Sequence, residues 1–349
     1  MINFEIIKGH GDDIFCSYML RSPHSLIYSK PSFLGLVASH LGASPHWVVA
    51  RKNGEIIGLL PYLVKMGALG PAYNSLAYYG SNGGVIQDND NDEIKVELIR
   101  EFYFQAERAG AVSATIISNP LLKDAHLYEE TSKYDYRDER IGQITHLPRL
   151  DDVGDLIKLF DNPRPRNIRR AMKEGISVNK GRSESLDFLY ETHINNMMSI
   201  GGLPKRRSFF DNISKYMEDH EWVVFTAVLD RKPIAALLLF YFNKTVEYFT
   251  PVIHVDYRKT QALSFVIYSA MQDAISHGYE NWNWGGTWLS QDGVYNFKKK
   301  WAATDYPYYY YTRVYKQDLL ECTPNFLIEN YQGFFLIPFR ELTKIQEYK

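Results

Sequence analysis

The chain has 349 residues, 45% hydrophobic and 23% charged, with a formal net charge of −2. That length exceeds one small core and fits two domains of common size. Near-neutrality excludes a dedicated nucleic-acid binder, though not a local basic patch, and two distant cysteines, Cys16 and Cys322, exclude a disulfide framework or a thiolate metal site.

The 26 Tyr and 19 Phe point to large apolar faces with polar tips, as in strands and ligand clefts. The opening MINFEIIKGH has no basic segment leading into an apolar core, so no signal peptide is expected. The longest apolar run, 234–242, is too short to span a bilayer and suits a buried strand. A soluble, cytoplasmic, two-domain protein is the expectation.

In chain order, Pro31 fits the first turn of a helix through Phe33, Leu36 and Val37. WVVAR and IIGLLPYLVK flank Lys52-Asn53-Gly54-Glu55, and Asn-Gly between apolar runs predicts a hairpin. Residues 67–87 read as an irregular loop. A helix follows over 92–109, with Ile94, Leu98, Phe102 and Ala106 on one face and Gly110 ending it. The strand ATIIS stops at Asn119-Pro120.

Residues 150–182 break the rhythm. Arg164, Arg166, Arg169, Arg170 and Lys173 crowd into NPRPRNIRRAMKEG, as an anion-binding element would require, since arginine forks grip phosphate or carboxylate. A solvated basic helix face explains the same charges. Helices are predicted over 184–199 and 207–218, joined by the basic loop GGLPKRRSFF, then three strands with turns at 230–233 and 243–244. The stretch 254–301 reads as strand end, basic turn, helix 260–277, strand 279–284, a glycine break and a lysine-rich run opened by Phe297. Strand-strand-helix-strand therefore occurs twice, at 47–118 and 222–284, which suggests a duplicated domain. Past Pro324 an amphipathic segment is assigned to core packing, with a membrane-touching helix as the alternative.

Several segments resemble the FemAB-like branch of the GCN5-related N-acyltransferase (GNAT) superfamily. They are RPRNIRRAMKEGISV at 164–178, KPIAALLLF at 232–240, AISHGYENWNWGGT at 274–287 and VYNFKKKWAA at 294–303, with EIIGLLPYLV and YYGSNGGVI in the first half. The resemblance covers roughly 40–315. It implies an α/β (α+β) fold of tandem GNAT-like domains, each a mixed, mostly antiparallel sheet flanked by helices. The expected division is 1–145, on the acceptor side, and 146–349, on the acyl-donor side with the catalytic groups. The implied reaction moves an acyl or aminoacyl group from a thioester or tRNA ester onto an amine of a cell-wall or surface-glycan precursor.

Such transfer needs a neutral nucleophile, a held carbonyl and a stabilised oxyanion, and no metal. His193, His220, His254 and His277 show no metal-ligand spacing. By position in the family's Phe-Lys pair, Lys298 is the oxyanion candidate, although Lys298, Lys299 and Lys300 also suit a basic strand edge. Asp292 is a candidate to take the amine's proton, and an Asp before Gly equally suits a turn. Arg258 and Lys259 are assigned to donor phosphates, in a turn that lacks the glycines of the usual CoA cradle. A basic turn beside a positive helix end is otherwise unfavourable. Trp284, between Trp282 and Trp288, is assigned to the acyl pocket, and alternate tryptophans on a strand equally fill a core. Arg166, Arg169, Tyr79, Ser81 and Asn82 are assigned to the acceptor.

The leading expectation is an N-acyltransferase of amino-sugar nucleotides or lipid-linked precursors. It would use acyl-CoA with no permanently bound cofactor and touch the membrane through a lipid-linked substrate. An aminoacyl-tRNA-dependent transferase of FemX type and a non-catalytic glycan-precursor binder are the alternatives.

Overall fold

A computed structural model describes residues 1–78, 83–89 and 91–342. The first elements are β1 (Ile2–Lys8), α1 (Asp13–Arg21), α2 (Pro31–Leu41), β2 (Ser44–Lys52), β3 (Glu55–Gly67), β4 (Gly70–Asn74), α3 (Asp92–Arg108) and β5 (Ser113–Ile117). Next come α4 (Ala125–Thr131), β6 (Tyr136–His146), α5 (Arg164–Lys173), β7 (Ser177–Gly181), α6 (Leu186–Met198) and α7 (Arg207–Tyr216). The remainder is β8 (Trp222–Leu229), β9 (Lys232–Phe242), β10 (Thr245–Ile253), α8 (Ala262–Ser276), β11 (Asn281–Thr287), α9 (Asp292–Lys299), β12 (Thr304–Val314) and α10 (Pro324–Asn330). None of the described helices is long and apolar enough to cross a membrane.

The chain divides into two compact units, 1–140 with 307–349, and 141–306. Each repeats one plan. In the first the strands run β1-β2-β3-β4-β5-β12, in the second β7-β8-β9-β10-β11-β6. Neighbours are antiparallel except β4 with β5 and β10 with β11, the parallel pairs that a crossover helix imposes. The strand beyond each parallel pair is exchanged: β6 follows β5 in sequence but pairs with β11, and β12 follows β11 but pairs with β5.

Local chemistry explains these elements. Pro31 opens α2, and Asn53 and Gly54 take φ of 54° and 87°, the left-handed pair that a two-residue hairpin needs. Asn91 accepts the Ile94 N–H at the start of α3. On β9, Leu237, Leu239 and Tyr241 join the core under α5 and α8. Phe240 faces the other way, meeting Phe249, which stacks on Phe209 of α7.

The expected contiguous domain 146–349 differs from this division. The amphipathic tail packs in the first unit, where Leu319, Leu327, Tyr331, Leu336 and Ile337 cluster with Ala72 and Val112. The run at 297–300 also differs from a strand edge: Phe297, Lys298 and Lys299 are the last residues of α9, and Lys300 caps it.

In the first unit the seam beyond the parallel pair is closed. Ser75 N–H donates to Thr115 O and Ser75 Oγ accepts the Ile117 N–H, both at 2.9 Å. The Asn74 side chain donates to Phe335 O at 2.8 Å and accepts its N–H at 2.7 Å. Asn74 is fully buried, so Asn74→Ala orphans the Phe335 N–H and leaves the Phe335 carbonyl only its 3.2 Å bond from Thr115 Oγ1. A loss of about 1–3 kcal/mol in urea unfolding is expected, with a smaller loss for Asn74→Asp at low pH, where a protonated carboxyl restores one donor.

Candidate active site

In the second unit the corresponding seam opens. β10 and β11 pair only at Thr245–Asn281, Val246–Trp282 and Glu247–Asn283. Beyond these, β10 changes register between Tyr248 and Thr250, and β11 between Asn283 and Gly286. The edge of β10 that β11 leaves is finished by other means. Asn196 of α6 accepts the Ile253 N–H at 3.0 Å and donates to its carbonyl at 2.9 Å. Pro251, two residues back on that edge, has no N–H to satisfy.

Gly285 sits where β11 turns away, at φ 72°, and its N–H donates to the Asn283 side chain at 2.9 Å. That left-handed residue turns successive carbonyls toward Lys298. The Lys298 ammonium donates to Thr287 Oγ1 at 2.7 Å and to Gly285 O and Gly286 O at 3.2 and 3.3 Å. Lys298 is buried, and burial pushes its pKa down to about 7. A lysine that charges near neutrality, held at a strand end by neutral acceptors, is an unusual group for a purely structural role.

Aromatic rings wall the other side. Tyr248 and Trp284 lie 4.8 Å apart, and Trp284 meets Phe297 and Trp301 at 6.1 and 5.7 Å. The Trp284 indole N–H donates to Thr145 Oγ1 at 2.9 Å. Arg164, the first residue of α5, turns inward over Phe297 and Trp301, at 4.3 and 5.4 Å from the ring centroids. Its Nε is buried without a hydrogen-bond partner, and burial lowers its pKa. The sequence marked Arg164 as one of a basic cluster, and only the fold separates it from the others.

Lys298 and Trp284 thus meet in one site, with Arg164 beside them. Asp292 is exposed at the start of α9, where its charge faces the helix's positive end. Arg166 and Arg169 are on the exposed face of α5, lining an open depression of about 550 Å³ with Arg170, Lys173 and Glu174. Tyr79, Ser81 and Asn82 lie outside the described residues.

Arg258 and Lys259 are exposed in a short 3-10 helix, Val255–Thr260, ahead of α8. Gln261 there adopts φ 63°, so a left-handed turn is made without glycine. Side chains hold it: Gln261 Nε2 donates to Arg258 O at 3.1 Å, and Thr260 Oγ1 accepts the Ala262 N–H at 3.3 Å. Across the loop that joins α6 and α7, Lys205 N–H donates to His193 Nε2 at 2.9 Å and the Lys205 ammonium lies 5.2 Å over Phe249. Burial pushes Lys205 down to about 8 and His193 to about 4, so the imidazole is neutral and serves as a loop acceptor.

Residues 164–299 match the family model described as an acetyltransferase (GNAT) domain. The fold is similar to that of FemX, with 16% identity over 90% of this chain and 98% of FemX and a TM-score of 0.71. It is also similar to the C-terminal domain of a putative lysylphosphatidylglycerol synthetase from Agrobacterium fabrum, with 14% identity, coverage of 94% and 97% and a TM-score of 0.57. A tandem GNAT protein from the clavulanic acid biosynthesis pathway gives 12%, 90%, 99% and 0.55 in the same order. No curated protein matches the sequence. The chain carries a GNAT domain at 164–299, in a fold shared with a tandem GNAT protein. The matched domain is that of an acyltransferase.

Proposed function

We propose that the chain forms an amide on the amino group of a sugar-nucleotide or lipid-linked cell-wall precursor, with acyl-CoA as donor. The observation that carries this reading is Lys298 in its cradle of Gly285, Gly286 and Thr287 at the mouth of the open seam. The corresponding seam of the first unit is stitched shut, which supports placing donor chemistry in the second.

The acyl chain runs along the aromatic wall of Tyr248 and Trp284, with its carbonyl toward Lys298. The amine nitrogen bonds the carbonyl carbon, and the C–S bond then breaks. The thiol leaves with the proton that the amine gives up. Two of the three Lys298 hydrogen bonds are long, and either can be exchanged for the developing oxyanion. Asp292 orients the amine from the rim. Arg166 and Arg169 meet acceptor phosphates, and Arg258 and Lys259 meet donor phosphates.

A second reading, an aminoacyl-tRNA donor, is favoured by one observation. The Ala262 N–H, which would face a CoA pyrophosphate, already bonds Thr260. Mass spectrometry after incubation with acyl-CoA or aminoacyl-tRNA and amino-sugar nucleotides tests both. A product carrying the acyl mass supports the first and one carrying an aminoacyl mass the second. Saturable acceptor binding with no product from any donor leaves the non-catalytic binder.

A further inference from the structure

Arg164 is a cation without a counter-charge. Its guanidinium lies 4.3 Å from the Phe297 ring centroid and 5.4 Å from that of Trp301, and it forms no ion pair among the described residues. Tyr248 is the ionisable group that acts on it. Burial pushes that phenol up, so the hydroxyl stays neutral and balances no charge. The helix that Arg164 opens, α5, has neither an acidic residue in its first turn nor a side-chain cap, so its positive end adds to the same field. Donors are in surplus as well. Arg164 Nε is buried without a partner, and Trp301, fully buried against it, has no acceptor for its indole N–H.

Arg164, Tyr248 and Phe297 are half-buried, whereas Trp284 and Trp301, in contact with them, are buried. The half-buried three are therefore the side chains of this wall that a ligand can touch. Phe297 meets both Arg164 and Trp284, so the cation lies one aromatic ring from the wall assigned to the acyl chain. A partly desolvated guanidinium is unfavourable unless something offsets the lost water. Ring faces do so in part. A planar carboxylate, matched to the arginine fork, does so better. An aminoacyl group would instead bring its ammonium toward a like charge.

We propose that Arg164 selects donors whose acyl group ends in a carboxylate, the half-thioesters of short dicarboxylic acids. This rests on acyl transfer from CoA and adds the class of acyl group. The carboxylate makes and breaks no bond, and the amide product carries it as a free acid. The test is calorimetric titration of the whole chain with succinyl-CoA, with glutaryl-CoA, and with the neutral thioesters in which two methyl groups replace the carboxylate oxygens. The better acid is expected to bind about 10–100-fold tighter than its neutral counterpart, the scale for hydrogen bonds to a charged group. Arg164→Met keeps the stem and should erase that preference, leaving the neutral thioester's affinity nearly unchanged. Equal affinities in the parent, or a preference that survives in the variant, overturns the proposal. A variant that weakens acid, neutral thioester and free CoA by one factor also overturns it, since Arg164 would then hold a CoA phosphate. So does one that weakens only an amino-sugar nucleotide, since it would then hold the acceptor. The parent's preference is read without any variant, so the test survives a variant that fails to fold. Tighter binding of the acid with no product from any acceptor sinks the transfer reading alone. Product formed with no preference for the acid sinks the charge selection alone, and binding of no thioester overturns both.

Discussion

Lys298→Met is expected to lower turnover by about 10²–10³-fold, the scale for removing one charge-stabilising donor from an acyl-transfer site. Methionine keeps the stem and removes only the ammonium, so the chain remains folded and donor affinity changes little. The pH profile carries the sharper signature. The stabilising form is the ammonium, and with a folded pKa near 7 it is lost as pH rises through neutrality. The lysine-dependent rate should therefore fall on that limb. Stability should move the opposite way. The unfolded chain keeps this proton up to its ordinary value of 10.5, so between about 7 and 10.5 unfolding takes up a proton and rising pH favours the fold. Steady-state rates and urea midpoints from pH 6 to 9 check both slopes. A variant with unchanged turnover, or a parent rate that rises through neutrality with no lysine-dependent fall, removes Lys298 from the mechanism.

Trp284→Ala should cost about 3–5 kcal/mol, the range for truncating a large buried aromatic side chain. The indole is 3% exposed and touches Tyr248, Trp282, Phe297 and Trp301. For a unit of this size that corresponds to a fall of roughly 10 °C in the melting midpoint. Trp284→Phe separates packing from polarity. It loses the bond to Thr145 Oγ1, about 1 kcal/mol, but Thr145 keeps its own bond to Trp301 O at 2.8 Å. If Trp284 walls the acyl slot, the phenylalanine variant should also raise the KM for long acyl donors at nearly constant kcat. Calorimetry with a donor-length series reads both effects. An unchanged donor preference would leave Trp284 a core residue and nothing more.

Much of the fold was legible because local signals agreed with the final structure. Pro31, Asn53-Gly54, Asn243-Lys244 and the faces of α3 and α8 each placed an element within a few residues of its end. β6 and β12 were not read. In β6 the charges of Asp138 and Arg140 interrupt the pattern, yet the two are buried as an ion pair at 2.7 Å. In β12 Pro307 and four consecutive tyrosines hide any alternation. Of the candidate site, the sequence proposed Lys298 from the family's Phe-Lys pair and Trp284 from its place among alternate tryptophans. Arg164 was not singled out, because five basic residues in one segment look alike until Phe297 and Trp301 arrive from far along the chain to select one. The expected want of glycine before α8 was only half informative, since Gln261 makes the left-handed turn itself.

The strand exchange has a consequence for biosynthesis. Residues 141–306 form one uninterrupted segment, whereas the other unit needs 307–349 to supply β12 and the Phe335 stitch. On the ribosome the half begun first would be finished last. The segment that carries Lys298 would have all its strands outside the exit tunnel while β5 still waited for its neighbour.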